Sequence, residues 1–185
     1  MRVISGTARG KKLSSLEGLE TRPTLDRVKE ALFNIIQFDL KDAKILDLFS
    51  GSGALAIEAL SRGATEAVLC DNSNKAIQII NRNLKDTRLE NKAKVINKDY
   101  TDTIKQLHNE FKKFNIIFLD PPYKTNYAIN AIEQILEYNL LKEDGIIIVE
   151  TDDKNKIDEI EKNNNIEVYD TRKYGTVFII FIRKG

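Results

Sequence analysis

Four consecutive residues near the middle of the chain carry the strongest chemical signal. They are Asp120, Pro121, Pro122 and Tyr123, in the stretch NIIFLDPPYKTNYAI. The apolar run before them predicts a buried strand that ends at Asp120, because proline lacks the backbone N–H and fixes φ. On the stiff loop that follows, the Asp120 carboxylate and the Pro121 carbonyl could accept the two N–H bonds of an exocyclic amine, and the Tyr123 ring could stack on its base.

A second signal is the glycine-containing stretch DLFSGSGALAIEAL, which lies between a predicted strand and a predicted helix. Gly51 and Gly53 allow a tight turn and a close approach of the backbone to a ligand. The helix N-terminus that follows favours anionic or polar groups. The spacing also matches the fingerprint of NAD-binding folds. Because such turns often only connect a strand to a helix, this one indicates a ligand site only in combination with other residues.

Three acidic residues close or follow the first three core strands, at Asp47, Asp71 and Asp99. In a parallel sheet these positions meet at the carboxyl edge, where ligands bind. Asp71 has the spacing of an acid that binds ribose hydroxyls, and Asp99 could bind an adenine amino group, although either could instead cap the next helix. Asp47 would repel a pyrophosphate. S-adenosylmethionine, with an ammonium, a sulfonium and no phosphate, therefore suits these residues better than NAD.

Strand-length apolar runs alternate with helical patterns along most of the chain, which predicts βα units and a parallel sheet covered on both faces. We expect strands at 44–49, 66–71, 93–97, 115–120 and 145–150. Residues 165–171 and 174–182 read as two further strands in an antiparallel hairpin at the sheet edge, with Tyr174 and Gly175 either turning it or supporting the Asp120 loop. The Asn cluster at 163–165 is the expected loop.

The N-terminal residues 1–40 are predicted to form an extension packed on a core of residues 41–185, the whole making one structural unit. The extension comprises a small hairpin that turns near Thr7–Arg9 and a helix in LDRVKEALFNII, capped by Thr24 or Thr21.

The composition is that of one ordinary soluble domain, with 185 residues, 42% hydrophobic and 31% charged. Cys70, the one cysteine, excludes an internal disulfide framework and is expected to be buried and inert. No apolar run is long enough to span a membrane and no signal-peptide pattern is present. His108, the one histidine, has no metal cluster around it. We therefore expect a cytoplasmic protein, without a metal or membrane partner and monomeric.

The stretches DLFSGSGALAIEALSRGA and DPPY resemble the class I S-adenosylmethionine-dependent methyltransferases that modify exocyclic amines. MRVISGTARGKKL, TRPTLDRVKEALFNII and RKYGTVFIIF narrow the resemblance to the bacterial RsmD type, which methylates guanine N2 in 16S ribosomal RNA. The resemblance covers essentially the whole chain. It implies a Rossmann-like fold of seven strands with an antiparallel C-terminal strand, a cofactor near Asp47, Gly51, Gly53, Asp71 and Asp99, and a base at Asp120–Tyr123.

Basic residues are concentrated at the N-terminus, although the net charge of the chain is only +1. The first twelve residues contain four cations and no acid. A local patch of this kind predicts phosphate contacts with RNA, free or in an assembling small subunit. The candidate substrate-binding residues are Arg2, Arg9, Lys11, Lys12, Arg22 and, beside Tyr123, Lys124.

Three alternatives are compatible with parts of this pattern. An amine methyltransferase could act on another RNA, DNA adenine or a protein side chain, although a DNA enzyme usually needs a separate target-recognition region. An NAD-dependent oxidoreductase would leave DPPY unexplained. A non-catalytic RNA-binding assembly factor would have no need for Asp120 together with Gly51 and Gly53.

Overall fold

One seven-stranded sheet forms the centre of the protein. The computed structural model describes residues 1–16, 23–122 and 125–185. The strand order in this part of the chain is β3-β2-β1-β4-β5-β7-β6. The strands are β1 Lys44–Asp47, β2 Glu66–Asp71, β3 Ala93–Asn97, β4 Phe114–Leu119, β5 Leu141–Thr151, β6 Ile166–Tyr174 and β7 Val177–Lys184.

Strands β1 to β5 pair in parallel, whereas β7 is antiparallel to both of its neighbours, β5 and β6. The predicted fold class, a Rossmann-like α/β fold with a mostly parallel seven-stranded sheet and an antiparallel C-terminal strand, is thereby confirmed. The order of the strands reverses between β1 and β4, and ligands bind in the crevice at such a switch point in open α/β sheets.

Helices cover both faces of the sheet. The face that carries Ile45 and Phe118 packs against α1, α2 and α3, and the face that carries Leu46 and Ile117 packs against α4, α5 and α6. The strands are apolar on both faces because both faces are buried. The helices are α1 Pro23–Ile35, α2 Ala54–Ser61, α3 Asn74–Thr87, α4 Tyr100–Asn109, α5 Tyr127–Glu137 and α6 Asn155–Glu161.

The sequence analysis placed β2 and β3 correctly to the residue and differed from the structure elsewhere. Strand β1 ends at Asp47 instead of Phe49. Strand β5 begins at Leu141 instead of Gly145, because the buried Leu141 is followed by three polar residues, of which Glu143 and Asp144 are exposed. The proposed Thr24 cap is wrong, since α1 already begins at Pro23, where proline is favoured in a first helical turn. The other candidate cap, Thr21, lies outside the described residues.

Helix α6 was not predicted from the sequence. It has seven residues, mostly charged, and Ile160 is its one buried side chain, so it lacks a clear apolar stripe. The neighbouring Asn cluster does form the predicted loop before β6. Gly175 has a positive φ in the turn between β6 and β7, whereas Tyr174 packs against the core on the α1 face.

The N-terminal segment forms the predicted turn but only one bridge of the predicted hairpin, between Arg2 and Lys12. Its inward side chains, Val3, Ala8 and Leu13, are buried in the same hydrophobic cluster as α1 and the sheet. The segment is therefore packed on the face of the sheet that α1 and α2 cover.

Two of the remaining predictions concern single residues. Cys70 is buried in β2, and burial raises the pKa of its thiol to about 11. His108 lies on the exposed side of α4, where its Nδ1 is 2.9 Å from the carbonyl oxygen of Tyr138.

No helix in the described ranges is long and apolar enough to cross a membrane. Those same ranges contain no group of three or more His, Cys, Asp or Glu that could hold a metal ion.

Candidate active site

A cavity of about 460 Å³ opens at the carboxyl edge of the sheet, beside the switch point between β1 and β4. This volume lies within the range of small-molecule and cofactor sites. Its walls come from the start of the chain, α1, and the loops that follow β1, β2, β3 and β4. The cavity brings together six of the eight predicted catalytic and cofactor-binding residues, namely Asp47, Gly51, Asp71, Asp99, Asp120 and Pro121.

The two glycines of the β1–α2 turn have different surroundings. Both have positive φ, at 55° for Gly51 and 78° for Gly53. A Cβ atom at Gly51 would meet nothing within 4 Å, and Gly51 lines the cavity. A Cβ atom at Gly53 would lie 3.0 Å from Cδ2 of Leu69, and Gly53 is not among the residues that line the cavity. Gly51 therefore leaves space for a ligand, whereas Gly53 allows α2 to pack closely on β2.

Asp71 fixes the glycine turn to the loop after β2. Its Oδ2 accepts a hydrogen bond from the Gly51 N–H at 2.9 Å, and its Oδ1 accepts one from the Ser73 N–H at 2.9 Å. Ser73, not Asp71, is the residue that caps α3. The alternative in which Asp71 serves as the helix cap is therefore wrong. Asp71 orients the turn and faces the cavity at the same time.

Asp99 caps the next helix and also faces the cavity. Its Oδ1 accepts hydrogen bonds from the N–H and hydroxyl of Thr101, at 2.9 and 2.8 Å, and so caps α4. It also lines the cavity. The capping fixes the position of its carboxyl group and leaves the other oxygen, Oδ2, for a ligand.

Three aromatic rings form a wall beside Asp99 that the sequence analysis missed. The Tyr100 ring lies 5.1 Å from that of Phe49 and 5.5 Å from that of Tyr127, and the Phe49 and Tyr127 rings are parallel. All three residues line the cavity, and Tyr127 is partly exposed. The signal in the sequence was an aromatic residue in the loop after β1 and one at the start of each of α4 and α5, all at one edge of the sheet. Such a wall suits a flat ring, such as a purine.

The carboxylate of Asp47 is buried and has no hydrogen-bond partner among the described residues. The Ser50 hydroxyl is close but donates to the Asp47 backbone carbonyl, at 2.8 Å. Burial raises the pKa of Asp47 to about 7, against the opposing influence of the Ala56 N–H. A buried carboxylate without a partner is costly, and a cationic ligand group in the cavity would relieve that cost.

Asp120 directly follows β4 and lines the cavity together with Pro121 and Pro122. Burial raises its pKa well above the usual range, and the charges of Glu150 and Asp47 add to the effect. The Thr125 hydroxyl donates to the Pro122 carbonyl at 2.8 Å and so links the two sides of the loop. Tyr123 and Lys124, which complete the predicted base and phosphate site, lie outside the described residues.

More acidic than basic side chains line the cavity. The described lining residues with charged side chains are five acids and two lysines: Asp47, Asp71, Asp99, Asp120, Glu150, Lys29 and Lys98. This arrangement favours a cationic ligand and opposes a pyrophosphate. Glu150 and Lys29 were not singled out in the sequence analysis, because neither belongs to a motif.

Of the predicted RNA-binding residues of the N-terminus, those that the structure describes, Arg2, Arg9, Lys11 and Lys12, do not line the cavity. Met1 lines the cavity, so the Arg2–Lys12 bridge next to it lies at the cavity end of the segment, with Lys11 adjoining. The turn that contains Arg9 lies at the opposite end, where the Ser61 hydroxyl accepts the Ala8 N–H at 2.9 Å. Arg22 lies outside the described residues.

A buried acid on α2 fixes the N-terminal segment in place. Glu58 is fully buried and accepts hydrogen bonds from the backbone N–H groups of Ile4 and Ser5, at 2.8 and 3.0 Å. It also forms ion pairs with Arg62, at 2.8 Å, and with Lys29, at 3.4 Å. Burial lowers the pKa of Lys29, although the charge of Glu58 opposes the shift.

Comparison with known proteins identifies the family. The family described as "Conserved hypothetical protein 95" matches residues 1–183. The chain belongs to this family. YlbH of Bacillus subtilis is 43% identical over 152 residues, which cover 82% of this chain and 83% of YlbH. The family resemblance inferred from the sequence is confirmed.

The similarity extends to a named enzyme and to a solved structure. Ribosomal RNA small subunit methyltransferase D of Haemophilus influenzae is 39% identical over 153 residues, covering 82% of this chain and 79% of that protein. The structure of yhhF from Escherichia coli has a TM-score of 0.87 and 33% identity, and the match covers 100% of this chain and 97% of yhhF. The whole chain thus shares its fold with yhhF.

Proposed function

We propose that this protein transfers a methyl group from S-adenosylmethionine to the exocyclic N2 amine of a guanine in 16S ribosomal RNA of the small subunit. The observation that carries the proposal is the position of Asp120, on a proline-stiffened loop, in the same acidic cavity as the glycine turn and Asp47. The ribosomal substrate is supported by the name of the Haemophilus influenzae relative. The choice of guanine N2 rests on the resemblance of the N-terminal and C-terminal stretches to the RsmD type.

The described residues fit S-adenosylmethionine, which supplies an electrophilic methyl group on a sulfonium. Asp47, which is buried and has no hydrogen-bond partner in the described part of the chain, suits the ammonium group. Asp71 faces the cavity beside Gly51 and suits the ribose hydroxyls. Asp99 and the Tyr100 ring suit the amino group and the face of an adenine. NAD fits less well, because its pyrophosphate would meet the excess of acidic groups.

Asp120 and Pro121 would hold and orient the target amine. The lone pair of an exocyclic amine is delocalised into the ring, so two acceptors that bind its N–H groups help it towards tetrahedral geometry. N–H donors would favour the ionised form of Asp120 and oppose the effect of its burial. As the N–C bond forms and the S–C bond breaks, the amine becomes an acidic ammonium that loses its proton without a strong base. In-line positioning of the amine and the methyl group supplies the rest of the lowering of the reaction barrier, up to about 7–11 kcal/mol in favourable systems.

The assignment of the substrate-binding surface remains part of the proposal. Arg2 follows Met1, which lines the cavity, and bridges to Lys12, so we assign these two residues and Lys11 to phosphates next to the target nucleotide. Arg9 lies farther away and would contact a more distant phosphate. Tyr123, Arg22 and Lys124 keep the roles predicted from the sequence. We further propose that the protein acts as a monomer, with residues 1–40 and 41–185 forming one unit, on RNA that is assembling into a small subunit.

The proposal is tested by incubating the protein with labelled S-adenosylmethionine and small ribosomal subunits from cells that lack it, followed by nucleoside analysis. The expected product is N2-methylguanosine at one nucleotide, which can then be mapped. Asp120→Ala should abolish transfer while leaving the affinity for S-adenosylmethionine nearly unchanged. Binding of the cofactor without label in this RNA would contradict the ribosomal assignment, and loss of cofactor binding in Asp120→Ala would contradict the role of Asp120.

A further inference from the structure

Glu150 and Asp120 occupy matching positions on two adjacent parallel strands. Phe118 pairs with Ile148 and Leu119 pairs with Val149, so the next position on each chain is Asp120 and Glu150. Adjacent strands lie about 4.8 Å apart. Two acidic residues are thus held side by side at the carboxyl edge of the sheet.

Both acids are on the same face of the sheet. Side chains alternate along a strand, and Phe118 and Ile148, two residues earlier, both pack in the cluster beneath α1. Asp120 and Glu150 therefore share that face, and both line the cavity. The Glu150 charge also contributes to the raised pKa of Asp120, which is a further sign of their proximity.

The Watson–Crick edge of guanine presents two adjacent groups of donors, the N2 amine and the N1–H. An ionised carboxylate only accepts hydrogen bonds, so two neighbouring carboxylates complement two neighbouring donors. In adenine, by contrast, the ring nitrogen N1 beside the amine is an acceptor and not a donor. The N1 atom of adenine would face one of the carboxylates. Neither of these two acceptors would then receive a hydrogen bond, which is unfavourable in a buried site.

We propose that Glu150 is a specificity-determining residue that accepts the N1–H of the target guanine, next to the N2 amine held at Asp120. This inference rests on the proposed function. Sites built to bind a substrate N–H reject an analogue that lacks it strongly, by about 10⁴–10⁵-fold in the best cases. Because Glu150 is only half-buried, we expect a smaller preference for guanine over an analogue that lacks the N1–H, of at least about 100-fold.

The base 2-aminopurine separates the two hydrogen bonds, because it keeps the 2-amine and has an acceptor at N1. Small subunits would be reconstituted with RNA that carries guanine or 2-aminopurine at the mapped target nucleotide. The measured quantity is the ratio of kcat/KM for the two RNAs, for wild type, Glu150→Gln and Asp152→Asn. Asp152 provides a matched acid-to-amide control, since it is exposed and does not line the cavity.

Wild type and Asp152→Asn are expected to prefer guanine by at least about 100-fold. The glutamine of Glu150→Gln can donate to the N1 acceptor, so its ratio should fall by at least about tenfold, with 2-aminopurine gaining in absolute rate. An unchanged ratio, or an equal loss on both RNAs, would overturn the proposal by giving Glu150 a structural role. Failure of wild type to methylate guanine in any small subunit would instead refute the proposed function.

Discussion

Replacing Asp47 with asparagine is expected to stabilise the protein at pH 8 and to weaken its binding of S-adenosylmethionine. The Asp47 carboxylate is buried and no residue that the structure describes forms a hydrogen bond with it, so its charged form destabilises the folded state. Asparagine has nearly the same shape and no charge. The same substitution removes the anion that we assign to the ammonium of the cofactor.

The magnitude follows from the pKa of Asp47, which burial raises from its ordinary value of 3.8 to about 7. Between these two values the folded protein binds more protons at this site than the unfolded chain, so its stability falls as the pH rises and levels off above pH 7. The raised pKa of Asp47 therefore lowers the free energy of unfolding by about 4 kcal/mol at pH 8 and by less than about 2 kcal/mol at pH 5. The advantage of Asp47→Asn should therefore grow by about 2–3 kcal/mol between pH 5 and pH 8.

The assay is urea unfolding of cofactor-free wild type and Asp47→Asn at pH 5 and pH 8, because a bound ligand would stabilise the wild type. Titration of both proteins with S-adenosylmethionine should show a loss of affinity of about 10- to 100-fold, the value of one hydrogen bond to a charged group. A stability difference that does not change with pH would refute the inference that Asp47 is buried and unpaired. Equal affinities would refute its assignment to the cofactor.

Further substitutions test the anchoring of the N-terminal segment and the glycine turn. Glu58→Ala should lower the free energy of unfolding by about 3–5 kcal/mol, because it leaves Lys29 buried without its partner, whereas Glu66→Ala, which removes an exposed ion pair, should cost no more than about 1 kcal/mol. Equal effects in urea unfolding would contradict the anchoring role. Gly51→Ala and Gly53→Ala should each cost at least about 1–2 kcal/mol through positive φ, but only Gly51→Ala should weaken cofactor binding, measured by titration.

The sequence was sufficient to predict the elements and the edge of the sheet at which the site lies. Apolar runs of strand length mark where β2 and β3 begin and end, and acids at the strand ends, such as Asp47 and Asp71, must meet at one edge in a parallel sheet. The Asp120 loop was predictable because proline restricts the backbone locally.

Contacts between distant parts of the chain were not predictable in the same way. Glu58 has the appearance of an ordinary helical glutamate in ALAIEAL, and only the packing of the N-terminal segment on α2 makes it a buried acid with four polar partners. Glu150 lies near the end of β5 and belongs to no motif, and its importance depends on the register of β5 with β4. Hydrophobic periodicity identifies the face of an element but not its neighbours in the fold.

The central claim is that one cavity holds the methyl donor and the target base side by side, and a crystal structure with S-adenosylmethionine tests it most directly. The account predicts the ammonium of the ligand at Asp47, its ribose at Asp71 and its methyl group facing Asp120 and Pro121. A ligand bound outside this cavity, or one whose methyl group points away from Asp120, would contradict it.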